Sequence, residues 1–109
     1  MNWIELKEIS QLSVIAEESI NKTVLIFKHS TRCIISKMAL RSFESEYNFG
    51  NDFSCYYLDL IAHREISNEI ANRFNIEHQS PQLLIIKDGV VVYNESHEGI
   101  NAQILNDYI

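Results

Sequence analysis

The hydrophobic pattern divides the chain into alternating helical and extended stretches. Val24-Leu25-Ile26-Phe27 is a continuous apolar run with no wet face, which predicts a buried central strand over residues 23–28. Ahead of it, Leu12, Ile15, Ala16 and Ile20 recur every three or four residues opposite Ser13, Glu17 and Glu18, predicting an amphipathic helix capped by Ser10 and ended at Asn21-Lys22. Behind it, Ile35, Met38, Ala39 and Phe43 keep the same spacing and predict a helix over residues 33–47 that buries this face. Turn residues 48–52 close that helix, and the aromatic-rich residues 53–58 predict a second strand. Ile66, Ile70, Ala71 and Phe74 mark a third helix, for which Asp59 is a candidate cap. Residues 76–81 form a polar loop with the only proline, and residues 82–87 and 90–95 are β-rich runs joined by the hairpin signal Asp88-Gly89. Ile104, Leu105 and Tyr108 predict a closing helix within residues 101–109, while Trp3-Ile4-Glu5-Leu6 is either an extra edge strand or a lead-in.

A helix between the first two strands requires a parallel pair with a right-handed crossover. The order that results is a β-α-β unit followed by β-β-α. This is the connectivity of an α/β, thioredoxin-like domain: a four-stranded mixed sheet with helices on both faces, and the N-terminal segment as a possible fifth strand. At 109 residues, with no linker, repeat or low-complexity tract, residues 1–109 are expected to form one domain. Functional sites in open α/β sheets gather at the carboxyl ends of the strands. Here the carboxyl end of the first strand leads directly to Cys33.

Charge and cysteine content narrow the function. A net charge of −6 argues against nucleic acid as a partner, since phosphate binding needs a basic stripe. No apolar run reaches the ~20 residues of a membrane span, and Met1-Asn2-Trp3-Ile4-Glu5 lacks the features of a secretory leader, so a cytoplasmic location is expected. Cys33 and Cys55 are the only cysteines, which in a reducing compartment favours separate roles over a bridge. The acidic chain nevertheless has no Asp or Glu from Ser19 to Phe43, where Lys22, Lys28, Arg32, Lys37 and Arg41 all fall. That segment is either a solvated helix face or a positive field around Cys33 that attracts an anionic thiol or disulfide.

A thiol at a strand-to-helix junction meets backbone N–H groups without partners and the positive end of the helix dipole, both of which favour the thiolate. In Cys33-Ile34-Ile35-Ser36 the place one turn on, where a dithiol enzyme carries its resolving cysteine, holds Ser36. A hydroxyl cannot resolve a disulfide but can donate to a thiolate, so the expected chemistry is monothiol. Thr31 and Arg32 adjoin the cysteine as candidate substrate contacts. In this connectivity Ser80-Pro81 lies beside the active-site helix, and a cis turn there exposes the backbone of Ser80 for pairing with a substrate chain. His29 either shuttles protons for the leaving thiol or closes the strand end. His63, His78 and His97 lack ligand spacing and no metal site is expected; Cys55 reads as core.

The stretches Lys28-His29-Ser30-Thr31-Arg32-Cys33-Ile34-Ile35-Ser36, Tyr56-Tyr57-Leu58-Asp59-Leu60, Ile66-Ser67-Asn68-Glu69-Ile70 and His78-Gln79-Ser80-Pro81-Gln82 together resemble the monothiol bacilliredoxins, thioredoxin-like proteins of bacillithiol-using bacteria. That family's usual pattern is Thr-Cys-Pro-Ile-Ser; this chain retains Cys33 and Ser36 but has Arg32 before the cysteine and Ile34 in place of the proline. The resemblance implies removal of bacillithiol from S-bacillithiolated client proteins. It also implies bacillithiol as thiol co-substrate and no tightly bound cofactor. The malyl carboxylates of bacillithiol give the positive segment a ligand. Two other readings compete: a glutaredoxin-like monothiol enzyme using another small thiol, disfavoured by the lack of a Cys-Gly-Phe-Ser pattern, and a non-catalytic thioredoxin-fold binding or stress protein.

Overall fold

The computed structural model describes residues 1–109 and orders its strands β1-β3-β2-β4-β5 in one five-stranded sheet. The strands are β1 (Ile4–Glu5), β2 (Val24–His29), β3 (Ser54–Asp59), β4 (Gln82–Lys87) and β5 (Val90–Ser96). The helices are α1 (Gln11–Glu18), α2 (Ile34–Glu46) and α3 (Arg64–Phe74). β2 runs parallel to β3, which runs parallel to β1, so the N-terminal segment is indeed an edge strand. β4 is antiparallel to both β2 and β5.

β2 and β4 are central because both of their faces are apolar. Val24 and Ile26 of β2 and Leu84 and Ile86 of β4 join Leu12, Ile15, Ile66 and Ile70 in one cluster beneath α1 and α3. Leu25, Phe27, Leu83 and Ile85 point the other way and pack with Phe43 of α2 and with Ala102 and Leu105. In the hairpin turn Asp88 and Gly89 both have positive φ, 54° and 80°, the backbone a two-residue turn needs to match strand twist. No helix is long and apolar enough to cross a membrane.

The helices depart from expectation in ways that shape the site. Ser10 makes no cap bond; Gln11 Oε1 instead accepts from the Lys7 and Glu8 amides at 2.7 and 2.9 Å. α1 stops at Glu18, leaving Ile20 exposed, because buried Ser19 is drawn to the hairpin: its Oγ accepts from the Gly89 amide and its carbonyl from the Asp88 amide. In α2 the buried stripe is Ser36, Phe43 and the half-buried Ala39, Leu40 and Tyr47, whereas Ile35 and Met38 are 43% and 63% exposed. This stripe obeys helical spacing as well as the expected one does, and it wins because Phe43 stacks with Trp3 and packs at a tilt against Phe27 while Ser36 is tied to the end of β2. Asp59 caps the turn ahead of α3, accepting from Ile61 and Ala62, and not the helix itself. The closing segment Ala102–Tyr108 is a 3-10 helix, started by Asn101 Oδ1 accepting from the Gln103 amide at 2.8 Å.

Candidate active site at the start of the second helix

β2 emerges from the middle of the sheet and turns through Ser30–Cys33 into α2, so Cys33 becomes the residue flanking the first helical turn. Its amide donates to Ser30 O at 3.2 Å and its carbonyl accepts from Lys37 at 3.0 Å, while its backbone is extended (φ −110°, ψ 123°). The side chain is half-buried, free of any disulfide, and makes no cap bond to the helix amides. Those amides are unpartnered within the helix and point toward that end of it, and the first turn of α2 holds no carboxylate. Cys33 therefore stands at the positive end of the helix dipole with no acidic side chain in the first turn.

Ser36 makes no hydrogen bond to that sulfur, unlike the expected donor. It is fully buried; Ser30 N–H donates to its Oγ at 3.0 Å, and His29 Nδ1 lies 2.6 Å from the same oxygen. The position that carries a second thiol in dithiol relatives is here a strut joining β2 to α2. His29 is the other half of the strut: it is buried, rests against Tyr57, and burial pushes its imidazolium below the usual range, so the ring is neutral at neutral pH. Its Nδ1 is taken up by Ser36, an arrangement that agrees with closing the strand end and leaves that nitrogen no free direction toward Cys33 as a proton shuttle or substrate contact.

Thr31 and Arg32 are exposed beside Cys33. The antiparallel pairing of Lys28 with Gln82 brings the preceding residue, Pro81, level with the end of β2, so the Ser80–Pro81 turn lies at the same sheet end as Cys33. That peptide bond is cis, Ser80 is half-exposed and Pro81 is buried, with Pro81 O accepting from the His97 amide at 3.1 Å. A groove of about 290 Å³ follows α2 away from this end, lined by Ile35, Met38 and Ala39 on the helix and by His97 and Ile100 across from it.

The positive segment is smaller than its composition suggested. Arg32, Lys37 and Arg41 are exposed and form no ion pair, but Lys28 is fully buried on the opposite face of the sheet. Its Nζ lies 2.6 Å from His78 Nδ1 and 3.1 Å from Gln82 Oε1, and burial lowers its pKa to about 8. This polar cluster was missed from sequence, although a lysine ending an otherwise apolar central strand is the signal that could have found it. Cys55 is buried, with Tyr47 Oη 3.5 Å from its sulfur, and burial pushes its thiol up, as befits a core residue. No three His, Cys, Asp or Glu side chains converge to hold a metal.

Residues 4–105 match the family described as "Monothiol bacilliredoxin BrxC". Among solved structures, one described as an oxidoreductase candidate with a thioredoxin fold is 36% identical, with a TM-score of 0.81 over 95% of this chain and 90% of that one. The thioredoxin of Trypanosoma brucei brucei superposes with a TM-score of 0.75 at 16% identity, over 98% of this chain and 90% of its own. Mala s 13, the thioredoxin of Malassezia sympodialis, gives 0.73 at 18% identity, over 98% and 87%. The last two likenesses are of fold alone.

Proposed function

The chain belongs to the monothiol bacilliredoxin family, a family of thiol–disulfide oxidoreductases, and we propose that it removes bacillithiol from S-bacillithiolated proteins through a mixed disulfide on Cys33. The observation that carries this reading is the contrast along the first turn of α2: a half-buried free cysteine at its start and, one turn on, a buried hydroxyl engaged by Ser30 N–H and His29. A sulfur so placed can be reached from outside and cannot be resolved from within.

The exchange draws its reducing equivalents from free bacillithiol and needs no other reductant. The Cys33 thiolate attacks the bacillithiol sulfur of the client's mixed disulfide; a Cys33–bacillithiol disulfide forms, the client sulfur leaves as thiolate and takes a proton from water. The thiolate of a free bacillithiol then attacks the bacillithiol sulfur held on Cys33, giving bacillithiol disulfide and returning Cys33 as thiolate. The open helix amides favour the anionic sulfur at both ends of the cycle. Arg32, Lys37 and Arg41, exposed and unpaired, favour approach of the malyl carboxylates, and Thr31 and Ser80 flank the path of the client chain. The cytoplasm, where thiols are kept reduced, is the compartment such a cycle needs.

Mass spectrometry of the protein after mixing with a bacillithiolated client tests the reading. The expected result is a bacillithiol adduct on Cys33, absent in Cys33→Ala and retained in Cys55→Ala. Transfer from an S-glutathionylated client at an equal rate would instead favour the glutaredoxin-like reading, and no transfer from either client would favour a binding module.

A further inference from the structure

We propose that Lys28, through its hydrogen-bonded pair with His78, is a positioning residue that clamps the Glu77–Pro81 segment against the sheet and so sets the surface on which a client chain lies beside Cys33. The inference rests on the thiol-exchange reading and concerns the face of the sheet opposite α2, which that reading leaves unused.

The geometry is a branched set of bonds that converge on one nitrogen. Lys28 Nζ is fully buried and reaches His78 Nδ1 at 2.6 Å and Gln82 Oε1 at 3.1 Å. The same Gln82 oxygen accepts from the Gln79 amide at 3.3 Å, and Gln82 Nε2 donates to Glu77 O at 3.0 Å. By attracting the carbonyl end of the Gln82 amide, the ammonium fixes which end faces Gln79 and which faces Glu77. Three of the residues just ahead of Pro81 therefore depend on Lys28, Glu77 and Gln79 through Gln82 and His78 directly. Without Lys28 the Gln82 amide is free to rotate and His78 loses its inward partner.

Proton count makes the clamp chemically distinctive. A bond between two basic nitrogens needs one of them unprotonated, so at neutral pH the ammonium donates to a neutral imidazole. The charged and polar groups facing the pair are few. From α3 come Ser67, whose Oγ is 3.2 Å from the same Nδ1, and the cationic Arg64; from β4 comes neutral Gln82. Glu77 offers its backbone, its carboxylate being engaged by Gln79 Nε2. With no carboxylate to neutralise a second proton, protonation of His78 sets two cations against each other and releases the segment. The lowered imidazole pKa agrees with this, as does the lowered amine. Because His78 belongs to an otherwise exposed residue, it can leave toward water at little cost.

The test compares Lys28→Met, His78→Leu and His78→Gln on two probes: a bacillithiolated protein, which lays a chain across the segment and is followed at steady state with free bacillithiol, and bacillithiol disulfide, which does not and is followed as a single exchange with Cys33 that releases one bacillithiol. For Lys28→Met and His78→Leu the expected result is a KM about tenfold higher for the protein probe, with kcat and the rate on the small disulfide within twofold of wild type. His78→Gln keeps an acceptor for Lys28 but no titration, and is expected to hold the wild-type KM at neutral pH while losing the rise in KM that wild type shows on acidification. Equal KM for all four proteins, or equal slowing on both probes, overturns the inference. If wild type reacts with neither probe the exchange reading itself has failed, and amide hydrogen exchange then judges the clamp. Gln79 N–H exchanging at least tenfold faster in Lys28→Met, with β3 amides unchanged, supports it; unchanged protection at Gln79 overturns it.

Discussion

Replacing Ser36 by Ala separates a strut from a catalytic donor. The hydroxyl is fully buried and holds two partners, the Ser30 amide at 3.0 Å and His29 Nδ1 at 2.6 Å. Removing it leaves both without a protein partner, and an unsatisfied buried group costs about 1–3 kcal/mol. Ala regains roughly 0.5 kcal/mol of helix propensity over Ser. Ser30 is only half-buried, so water can reach its amide and the lower part of the range applies there. The expected net loss is about 1.5–3 kcal/mol, on the sum of those contributions. Urea unfolding followed by Trp3 fluorescence measures it, since Trp3 packs on Phe27 and Phe43. In parallel, the rate of Cys33 alkylation by iodoacetamide is recorded against pH, with Cys55→Ala as background. A strut loses stability while the midpoint of the alkylation profile stays within a few tenths of a pH unit. The opposite outcome, an unchanged urea midpoint with the alkylation profile moved up by about one unit, as expected if a donor worth about 1.4 kcal/mol to the thiolate were lost, would refute the strut.

Four further outcomes are expected. Phe43→Ala, which empties a site bounded by Trp3, Phe27 and Tyr47, should cost about 3–5 kcal/mol, whereas Met38→Ala on the exposed stripe should stay within about 0.5 kcal/mol; urea midpoints decide, and equal losses would contradict the helix phase. Lys28 has a folded pKa of about 8, below its unfolded value, so the unfolded chain binds more protons between that pH and about 10.4. Stability relative to Lys28→Met should therefore rise with pH across that window, by roughly 1–3 kcal/mol after discounting for solvent, and a flat difference would refute the buried ammonium. His29 and His78 are lowered too, so the unfolded chain protonates first as pH falls through about 6.5, and thermal melts should show stability lost on that side. Arg32→Glu should slow exchange with bacillithiolated clients several-fold in low salt and much less in high salt, measured by stopped-flow; equal rates at both would remove the steering role.

What the sequence disclosed and what it hid follow from the range of the interactions concerned. Periodicity reports burial against a sheet, which is why β2, β4, the Asp88-Gly89 hairpin and the parallel β2–β3 pair were all legible, and why the position of Cys33 at a strand-to-helix junction followed from them. The phase of α2 was not. Its residues allow two apolar stripes of helical spacing that share Ala39 and Phe43, the expected Ile35–Met38–Ala39–Phe43 and the observed Ala39–Leu40–Phe43–Tyr47, and the choice is made by partners remote in sequence: Trp3 on one side and the end of β2 on the other. The same remoteness concealed the roles of the polar residues. Ser36 read as a donor to Cys33 because both lie on one helix turn, yet the partner that claims it is seven positions earlier, on another element. Lys28 read as surface charge because lysines usually are, and its partners His78 and Gln82 lie 50 and 54 residues away. In each case the chemistry of the side chain was legible and its direction was not. Direction is what separates a group able to touch a reacting sulfur from one that holds the frame around it, and here the hydrogen bonds of Ser36 and His29 tie β2 to α2 while Cys33 stays a half-buried free thiol at the helix start.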